Sequence, residues 1–363
     1  MKNTFGNNIS ITLFGESHSQ SIGAVIDGLA PGLTVDEEYI KEKLSLRRPS
    51  GEISTSRKEP DEFIIESGVF EGKTTGTPIC ILIPNVNIRS KDYSSIKSKA
   101  RPGHADYTAH LKYHGFQDYR GGGHFSGRIT AALVAAGAIF QYALEQKGIY
   151  IGTHIKSIAD IEDRDFIDFE SDIKSLHNKE FSLLDSSKES LMKEKIKEAK
   201  AQLDSVGGTL QTAIIGIPSG VGEPWFDSVE SMISHGIFSI PGIKGIEFGA
   251  GFGFAQMRGS VANDQFFMEN GEVKTKTNNN GGINGGITNG MPIIFNCAVK
   301  PTPSIAKEQE TIDFINNSDT KLGIKGRHDP CIVHRARAVV DSVCAVVLCD
   351  MLATRFGTDY LGE

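Results

Sequence analysis

The sequence has 363 residues, 39% hydrophobic and 23% charged, a globular composition long enough for one large domain or two ordinary ones. A net charge of −7 argues against general affinity for nucleic acid or an anionic membrane, but leaves room for a local cationic pocket. Five scattered cysteines without a CxxC pair indicate reduced, cytoplasmic usage rather than a disulfide framework or a zinc ribbon.

In chain order, residues 8–14 and 21–29 read as strands around the polar break Gly15-Glu16-Ser17-His18. Residues 36–46 suit a short helix ended by Arg47-Arg48-Pro49, followed by a polar loop over 50–60. Strand patterns return at 62–69 and 77–83, and residues 85–98 are polar. Gly121-Gly122-Gly123 opens into an Ala-rich helix over about 127–147, packed all round. Its apolar stretch, Ala131 to Phe140, is shorter than the roughly 20 residues that span a bilayer, and no signal-peptide segment is expected at the N-terminus.

Residues 155–187 read as polar and irregular, and 188–203 as an amphipathic helix with Met192, Ile196, Ala199 and Leu203 on one face. Strands are expected near 208–217, 246–258 and 292–299, with a Gly/Asn loop from Asn278 to Gly290 and a polar stretch over 303–326. A final helix covers about 335–354. With no linker, short repeat or low-complexity tail, residues 1–363 read as one α+β domain whose site gathers distant segments.

Several segments carry chemistry. His18, in a short polar turn, is either an exposed loop histidine or a group that titrates in a pocket. Arg101-Pro102-Gly103-His104-Ala105-Asp106 fixes an Arg fork near a His, which suits an oxyanion, or else forms a loop with a surface salt bridge. His104, His110 and His114 raise a metal reading, but no motif fixes an acidic third ligand and no metal is expected. In Tyr119 to Arg128 the glycines permit close backbone approach, and the helix that follows offers free N–H groups to an anion. Gly249 to Gly253 lacks the spacing of a dinucleotide loop. Asn278 to Gly286 and Lys300-Pro301-Thr302-Pro303-Ser304 are weaker ligand-binding candidates. In Gly326 to Cys331, Arg327 and Asp329 form an anion clamp and proton acceptor, unless Asp329 merely caps the final helix.

Taken together and in this order, the segments resemble the chorismate synthase family from residue 5 to about 353. The matches are GESHS at 15–19, RRP at 47–49, DYSSIK at 92–97, RPGHADY at 101–107, DYRGGG at 118–123, NNNGGINGGI at 278–287, KPTPSI at 300–305 and GRHDPC at 326–331. The resemblance implies a β-α-β sandwich, a helical core between antiparallel sheets, assembled as a homotetramer. It implies a 1,4-anti elimination of phosphate from 5-enolpyruvylshikimate-3-phosphate that requires reduced FMN without net redox change.

By the same resemblance, His18 is a proton donor toward the departing phosphate, His104 lies near the flavin ring, and Asp329 lies near flavin N5 to help take hydrogen from C6. Flavin contacts map onto His124, Phe125, Ser126, Pro241, Gly242, Gly285, Lys300, Pro301, Thr302, Pro303, Ser304 and Arg327. Arg47, Arg48, Arg128, Arg327 and Arg335 match arginines at the phosphate and carboxylate end, where some relatives also bind NADPH.

His124 stands where many relatives carry an arginine. The loop from Pro49 to Glu59 lacks the arginine often found about six residues after Arg47, with Ile53 or Ser54 near that place. A separate flavin reductase is therefore the expected source of reduced FMN. Rival readings are a non-catalytic flavin-binding scaffold and a metal-dependent phosphate-ester hydrolase.

Overall fold

Period-two burial builds two separate five-stranded antiparallel sheets. The computed structural model describes residues 2–49, 51–55, 60–86, 97–324 and 328–362. Arg327 and parts of the DYSSIK and GRHDPC segments lie outside the described residues.

The first sheet contains β1 (Thr4–Phe5), β2 (Ser10–Gly15), β3 (Ser21–Asp27), β4 (Ile64–Ser67) and, after the small hairpin β5 (Val69–Phe70) and β6 (Lys73–Thr74), β7 (Ile79–Pro84). Its order is β1-β2-β3-β7-β4. Ile79, Ile81 and Ile83 all point inward from β7, as strand alternation requires. Helix α1 (Glu37–Arg47) lies between β3 and β4, capped at its N-terminus by Asp36, whose carboxylate accepts the Glu38 and Tyr39 amides.

After α2 (Asp106–Lys112) and α3 (Thr130–Gln146) comes the second sheet: β8 (Tyr150–Ile158), β9 (Ile161–Glu162), β10 (Gly208–Ile215), β11 (Ile243–Phe248) and β16 (Ile293–Val299), in the order β11-β16-β10-β8-β9. Helices α4 (Phe169–Leu176), α5 (Glu189–Ala201), α6 (Val229–Phe238) and α7 (Gly259–Ala262) occupy its connections. Hairpins β12 (Phe266–Glu269)/β13 (Glu272–Thr275), β14 (Ile283–Asn284)/β15 (Ile287–Thr288) and β17 (Gln309–Asp313)/β18 (Ser318–Leu322) stand outside both sheets.

Helix α8 (Val333–Phe356) packs along α3, and the pair forms the layer between the sheets. α3 touches β3 and β7 on one side and β8 on the other, while α8 touches β8 and β10. The close approach depends on small residues: a Cβ on Gly137 would lie 2.3 Å from the Cβ of Ser342. The helix over Gly127–Gln146 is long and apolar enough to cross a membrane, but it is mostly buried inside the protein as a core element. At its far end α8 ties down the first sheet: the Asp350 carboxylate accepts the amides of Asn7, Asn8 and Ile9 at 2.9, 2.7 and 2.9 Å.

Three departures from the sequence reading have clear causes. β8 starts at 150 and runs through the first part of the stretch expected to be irregular. Its polar residues are buried but satisfied across strands, Thr153 with Thr212 at 2.8 Å and Ser157 with Thr209 at 2.7 Å, which masks the apolar alternation. Helix α6 was not expected, although Val229, Ile233 and Ile237 form its buried stripe and Ser228 caps it. The expected strand over 246–258 ends at Phe248, where Gly249 and Gly251 take positive φ and the chain enters a 3₁₀ turn over Gly251–Gln256.

Candidate active site

A cavity of about 870 Å³ opens between the end of α1, the loop around Arg101, the turn before α3, the β16 exit and the start of α8. His104, His124, Phe125, Ser126, Pro241, Gly242, Asp329 and the run Lys300 to Ser304 line it. So do Arg47, Arg128 and Arg335. Val339 and Val343 of α8 contribute an apolar wall. His18, Arg48 and Gly285 do not line it: His18 and Arg48 sit behind lining residues, and Gly285 lies on an exposed turn of the β14/β15 hairpin. Arg101 and Gly121, read from sequence as an oxyanion fork and a point of close backbone approach, also line the wall, as do His328 and Lys244, which had been assigned no role.

The triple glycine turn separates two histidines. Gly121, Gly122 and Gly123 all have positive φ, at 61°, 91° and 54°. A Cβ on Gly121 would sit 2.3 Å from His18 Cε1, and one on Gly122 would sit 3.3 Å from His104 Cε1 and Nε2. Bare backbone is therefore what lets both imidazoles approach the turn. His18 is buried, and its Nδ1 lies 3.0 Å from the Ser17 hydroxyl, which donates to the Arg120 carbonyl. His124 donates from Nδ1 to the Gly15 carbonyl at 2.7 Å, leaving Nε2 as its second polar atom.

His104 is oriented by Asp106. Its Nδ1 lies 3.0 Å from Asp106 Oδ1. Asp106 also accepts the Arg101 backbone amide and Nε through Oδ2, and Nη2 through Oδ1, at 2.9, 2.8 and 2.6 Å. Burial pushes the Asp106 carboxyl upward, but hydrogen bonds and charge from Arg101 and His104 outweigh it and hold the acid well below the usual range. His104 Nδ1 thus lies between two partners, Asp106 Oδ1, which accepts, and Arg101 Nη2 at 3.1 Å, which donates, and together they hold the ring with Nε2 beside Gly122. The surface salt bridge considered for this segment is thus a largely buried positioning pair, with the Arg101 side chain 5% exposed.

Asp329 is not a helix cap: the cap residue of α8 is Ile332, with no side-chain hydrogen bond. Instead Asp329 accepts the Thr55 amide at 2.8 Å and Arg335 Nη1 at 2.5 Å, and Arg335 Nε donates to the Arg47 carbonyl at 2.8 Å. Beside it, burial and then the Arg101 charge push the His328 imidazole down, partly offset by Asp329, so the ring is neutral near pH 7. Two polar atoms in residues of the cavity wall are buried without a hydrogen-bond partner: His328 Nε2 and Thr302 Oγ1.

The arginines of the first half converge on one carboxylate that sequence reasoning passed over. Arg47 Nη1 reaches Asp61 Oδ2 at 3.1 Å, Arg48 Nε lies 3.6 Å from the same oxygen, and Arg128 Nη1 donates to Asp61 Oδ1. Arg47 is further fixed by Thr130 Oγ1 at 3.0 Å, and Arg128 by Asn85 Oδ1 at 3.0 Å. Lys300 donates from Nζ to the Gly103 carbonyl at 2.5 Å, and burial and the Lys244 charge push its ammonium down.

A metal reading finds no group: among the described residues no cluster of three His, Cys, Asp or Glu could hold an ion. His110 and His114 share no helical face, because α2 ends at Lys112 and His114 takes φ 55°.

The architecture and cavity define an α+β protein with an arginine-lined, histidine-containing pocket between two sheets and a helical layer. The chorismate synthase family profile matches residues 9–353. A chorismate synthase from Thermococcus kodakarensis is 43% identical over 350 residues, covering 96% of this chain and 97% of its own length. One from Lachnoclostridium phytofermentans is 47% identical over 352 residues, covering 96% and 94%. A crystal structure of chorismate synthase superposes with a TM-score of 0.76 at 28% identity, covering 97% of this chain and 94% of that one. The chain belongs to the chorismate synthase family.

Proposed function

We propose that this chain converts 5-enolpyruvylshikimate-3-phosphate to chorismate and phosphate, as a carbon–oxygen lyase acting by 1,4-anti elimination. The observation that carries the reading is the convergence of His104, Asp329, Arg47, Arg128, Arg335 and Lys300 on one cavity from distant parts of the sequence. A net acidic protein that concentrates cations in one hollow is built to hold a multiply charged anion.

The cavity suits reduced FMN. Thr302 Oγ1 and His328 Nε2 are unpartnered polar atoms in residues of a wall whose α8 side is apolar, a pattern that fits a flat heteroaromatic ring with polar edges. His124, Phe125, Ser126, Pro241, Gly242 and the run Lys300 to Ser304 are the residues that would hold it. When bound, the reduced flavin supplies electron density that weakens the allylic C–O bond and is returned by the end of the turnover.

In the elimination the C3–O bond breaks with departure of phosphate, a hydrogen leaves C6, and a new double bond forms. Arg47 and Arg128 face the phosphate end and stabilise its developing charge. His18, behind the Gly121 turn, is the proton donor toward that phosphate. His104, oriented by Asp106, takes up and returns a proton through Nε2 near the flavin. Asp329, held by Thr55 and Arg335, helps accept the hydrogen from C6.

Ile53 and Ser54 are both buried, Ser54 against His334 at 2.8 Å, which supports a separate flavin reductase as the source of reduced FMN. Exposed Trp225, Phe226, Phe252 and Phe266 support assembly with further copies, as in a homotetramer, and five free cysteines support a cytoplasmic setting.

The test is anaerobic incubation of the purified protein with the substrate and photoreduced FMN. Chorismate and phosphate are expected in equal amounts, with no loss on adding a chelator. Absence of both products overturns the assignment.

A further inference from the structure

Asp61 is a fully buried acid, bound to two arginines of the cavity wall, that the mechanism does not use. Its side chain is fully buried, and the guanidinium groups of Arg47 and Arg128 that enclose it are only 3% and 4% exposed. It takes φ 49°, in the left-handed region, where Asp and Asn are tolerated better than other side chains. Both oxygens are in use, Oδ2 by Arg47 and Oδ1 by Arg128.

The third guanidinium is less well served. Arg48 gives Nη2 to the Pro60 carbonyl, but its Nε stays 3.6 Å from Asp61 Oδ2, buried and without a hydrogen-bond acceptor. A buried guanidinium N–H without an acceptor costs free energy, so the cluster has capacity for a further anionic oxygen. Arg47 and Arg128 also line the cavity, so an anion arriving from that side meets groups already arranged around a carboxylate.

We infer that Asp61 is a built-in counter-anion: it holds Arg47, Arg48 and Arg128 together while no ligand is bound, and it shares them with a phosphate group when one arrives. Asp61 is therefore a positioning residue that acts through the arginines. This rests on the reading of the arginine end as the seat of the substrate's phosphate. Its consequence is that an external phosphate can take over the carboxylate's work when the carboxylate is removed.

Asp61→Asn keeps the shape and the left-handed backbone, removes the charge and turns one of the two acceptor oxygens into an NH₂ donor. The experiment is thermal unfolding of the full chain and of this variant in inorganic phosphate, against sodium chloride of matched ionic strength. The variant is expected to melt lower in chloride. Phosphate at tens of millimolar is expected to raise its midpoint at least about twice as far as it raises the wild type's, because a ligand that binds only the folded state stabilises by mass action.

Asp61→Glu, which restores the charge, is expected to return the phosphate response toward that of the wild type. Equal phosphate shifts in wild type and Asp61→Asn overturn the inference, as does recovery of the variant by chloride to the same extent. A variant that stays unfolded in phosphate also overturns it, since phosphate then cannot replace the carboxylate. Turnover is scored separately: a protein that shows the phosphate-specific shift but makes no chorismate refutes the proposed reaction and leaves the counter-anion standing.

Discussion

Replacing Asp106 by Asn tests whether His104 works through a fixed proton. In the wild type Asp106 Oδ1 accepts from Arg101 Nη2 and faces His104 Nδ1, which Arg101 Nη2 also approaches at 3.1 Å; in the proposed role of His104 the carboxylate wins the Nδ1 proton and keeps Nε2 free of hydrogen. An amide must turn its oxygen toward Arg101 Nε and the Arg101 backbone amide, the pair that Oδ2 serves at 2.8 and 2.9 Å. Its NH₂ then takes the place of Oδ1 and points at His104 Nδ1, which lay 3.0 Å away. Nδ1 becomes an acceptor and the ring proton moves to Nε2, so the group that faces Gly122 changes from acceptor to donor. General acid–base steps are worth about 10² to 10⁴ in rate, so kcat should fall by about a hundredfold or more. KM should change less than about threefold, because Arg47 and Arg128, which the proposal assigns to the phosphate, are untouched.

Leaving buried Arg101 with a neutral partner also costs about 3–5 kcal/mol of stability, measurable as a lower denaturation midpoint. The assay is anaerobic chorismate formation across pH, together with ¹⁵N chemical shifts of the His104 ring to read the tautomer. A variant with kcat within a factor of two of wild type and an unchanged pH profile refutes the assignment of His104 and Asp106. So does a tautomer that stays on Nδ1 while activity is lost.

Gly121→Ala places a methyl 2.3 Å from His18 Cε1 at a residue with φ 61°; it should cost about 1–2 kcal/mol for the backbone and lower kcat further by displacing His18, seen by steady-state kinetics on soluble protein. Thr302→Val removes a buried hydroxyl that has no partner in the free protein, so the apo midpoint should rise slightly while FMN affinity, followed by flavin fluorescence, falls about five- to tenfold. His334 is pushed down to about 3 by burial and by Arg335 and Lys193, whereas the unfolded imidazole takes a proton near pH 6.5. Between those values the unfolded chain binds more protons, so this residue's contribution falls as pH drops, by about 2–3 kcal/mol from pH 7 to pH 4.5. His334→Gln should flatten urea-derived stability against pH in that window; an unchanged slope counts against the assignment.

How much of this was legible beforehand follows from where each signal lives. β2, β3, α1, α3, α5 and α8 were visible because each is long enough to show its period, and all but α5 have a Gly or a capping residue at or close to one end: Gly15, Gly28, Asp36, Gly148 and Gly357. β8 was hidden because its buried polar side chains pair across strands, a tertiary fact with no local trace. The motif residues His104, Asp329 and Lys300 to Ser304 could be found because Gly and Pro punctuate them. Asp106 lay in plain view in RPGHADY and was left without a role; an acid two residues after a histidine was the available clue. Asp61 gave no such clue. It follows a polar loop and matters only because α1 and the turn before α3 bring arginines to it from 14 and 67 residues away.

The grip of Asp350 on the amides of Asn7, Asn8 and Ile9 has a temporal meaning during synthesis. Ribosomes build the first sheet early, yet those three N–H groups, one of them on a fully buried residue, have no acceptor until α8 has been made. The nascent chain must therefore carry an unfinished sheet edge through most of its translation, a state with exposed strands and a tendency to aggregate. Helper proteins that shield such edges, and any slowing of translation near the α8 codons, are expected to weigh heavily on the yield of active enzyme.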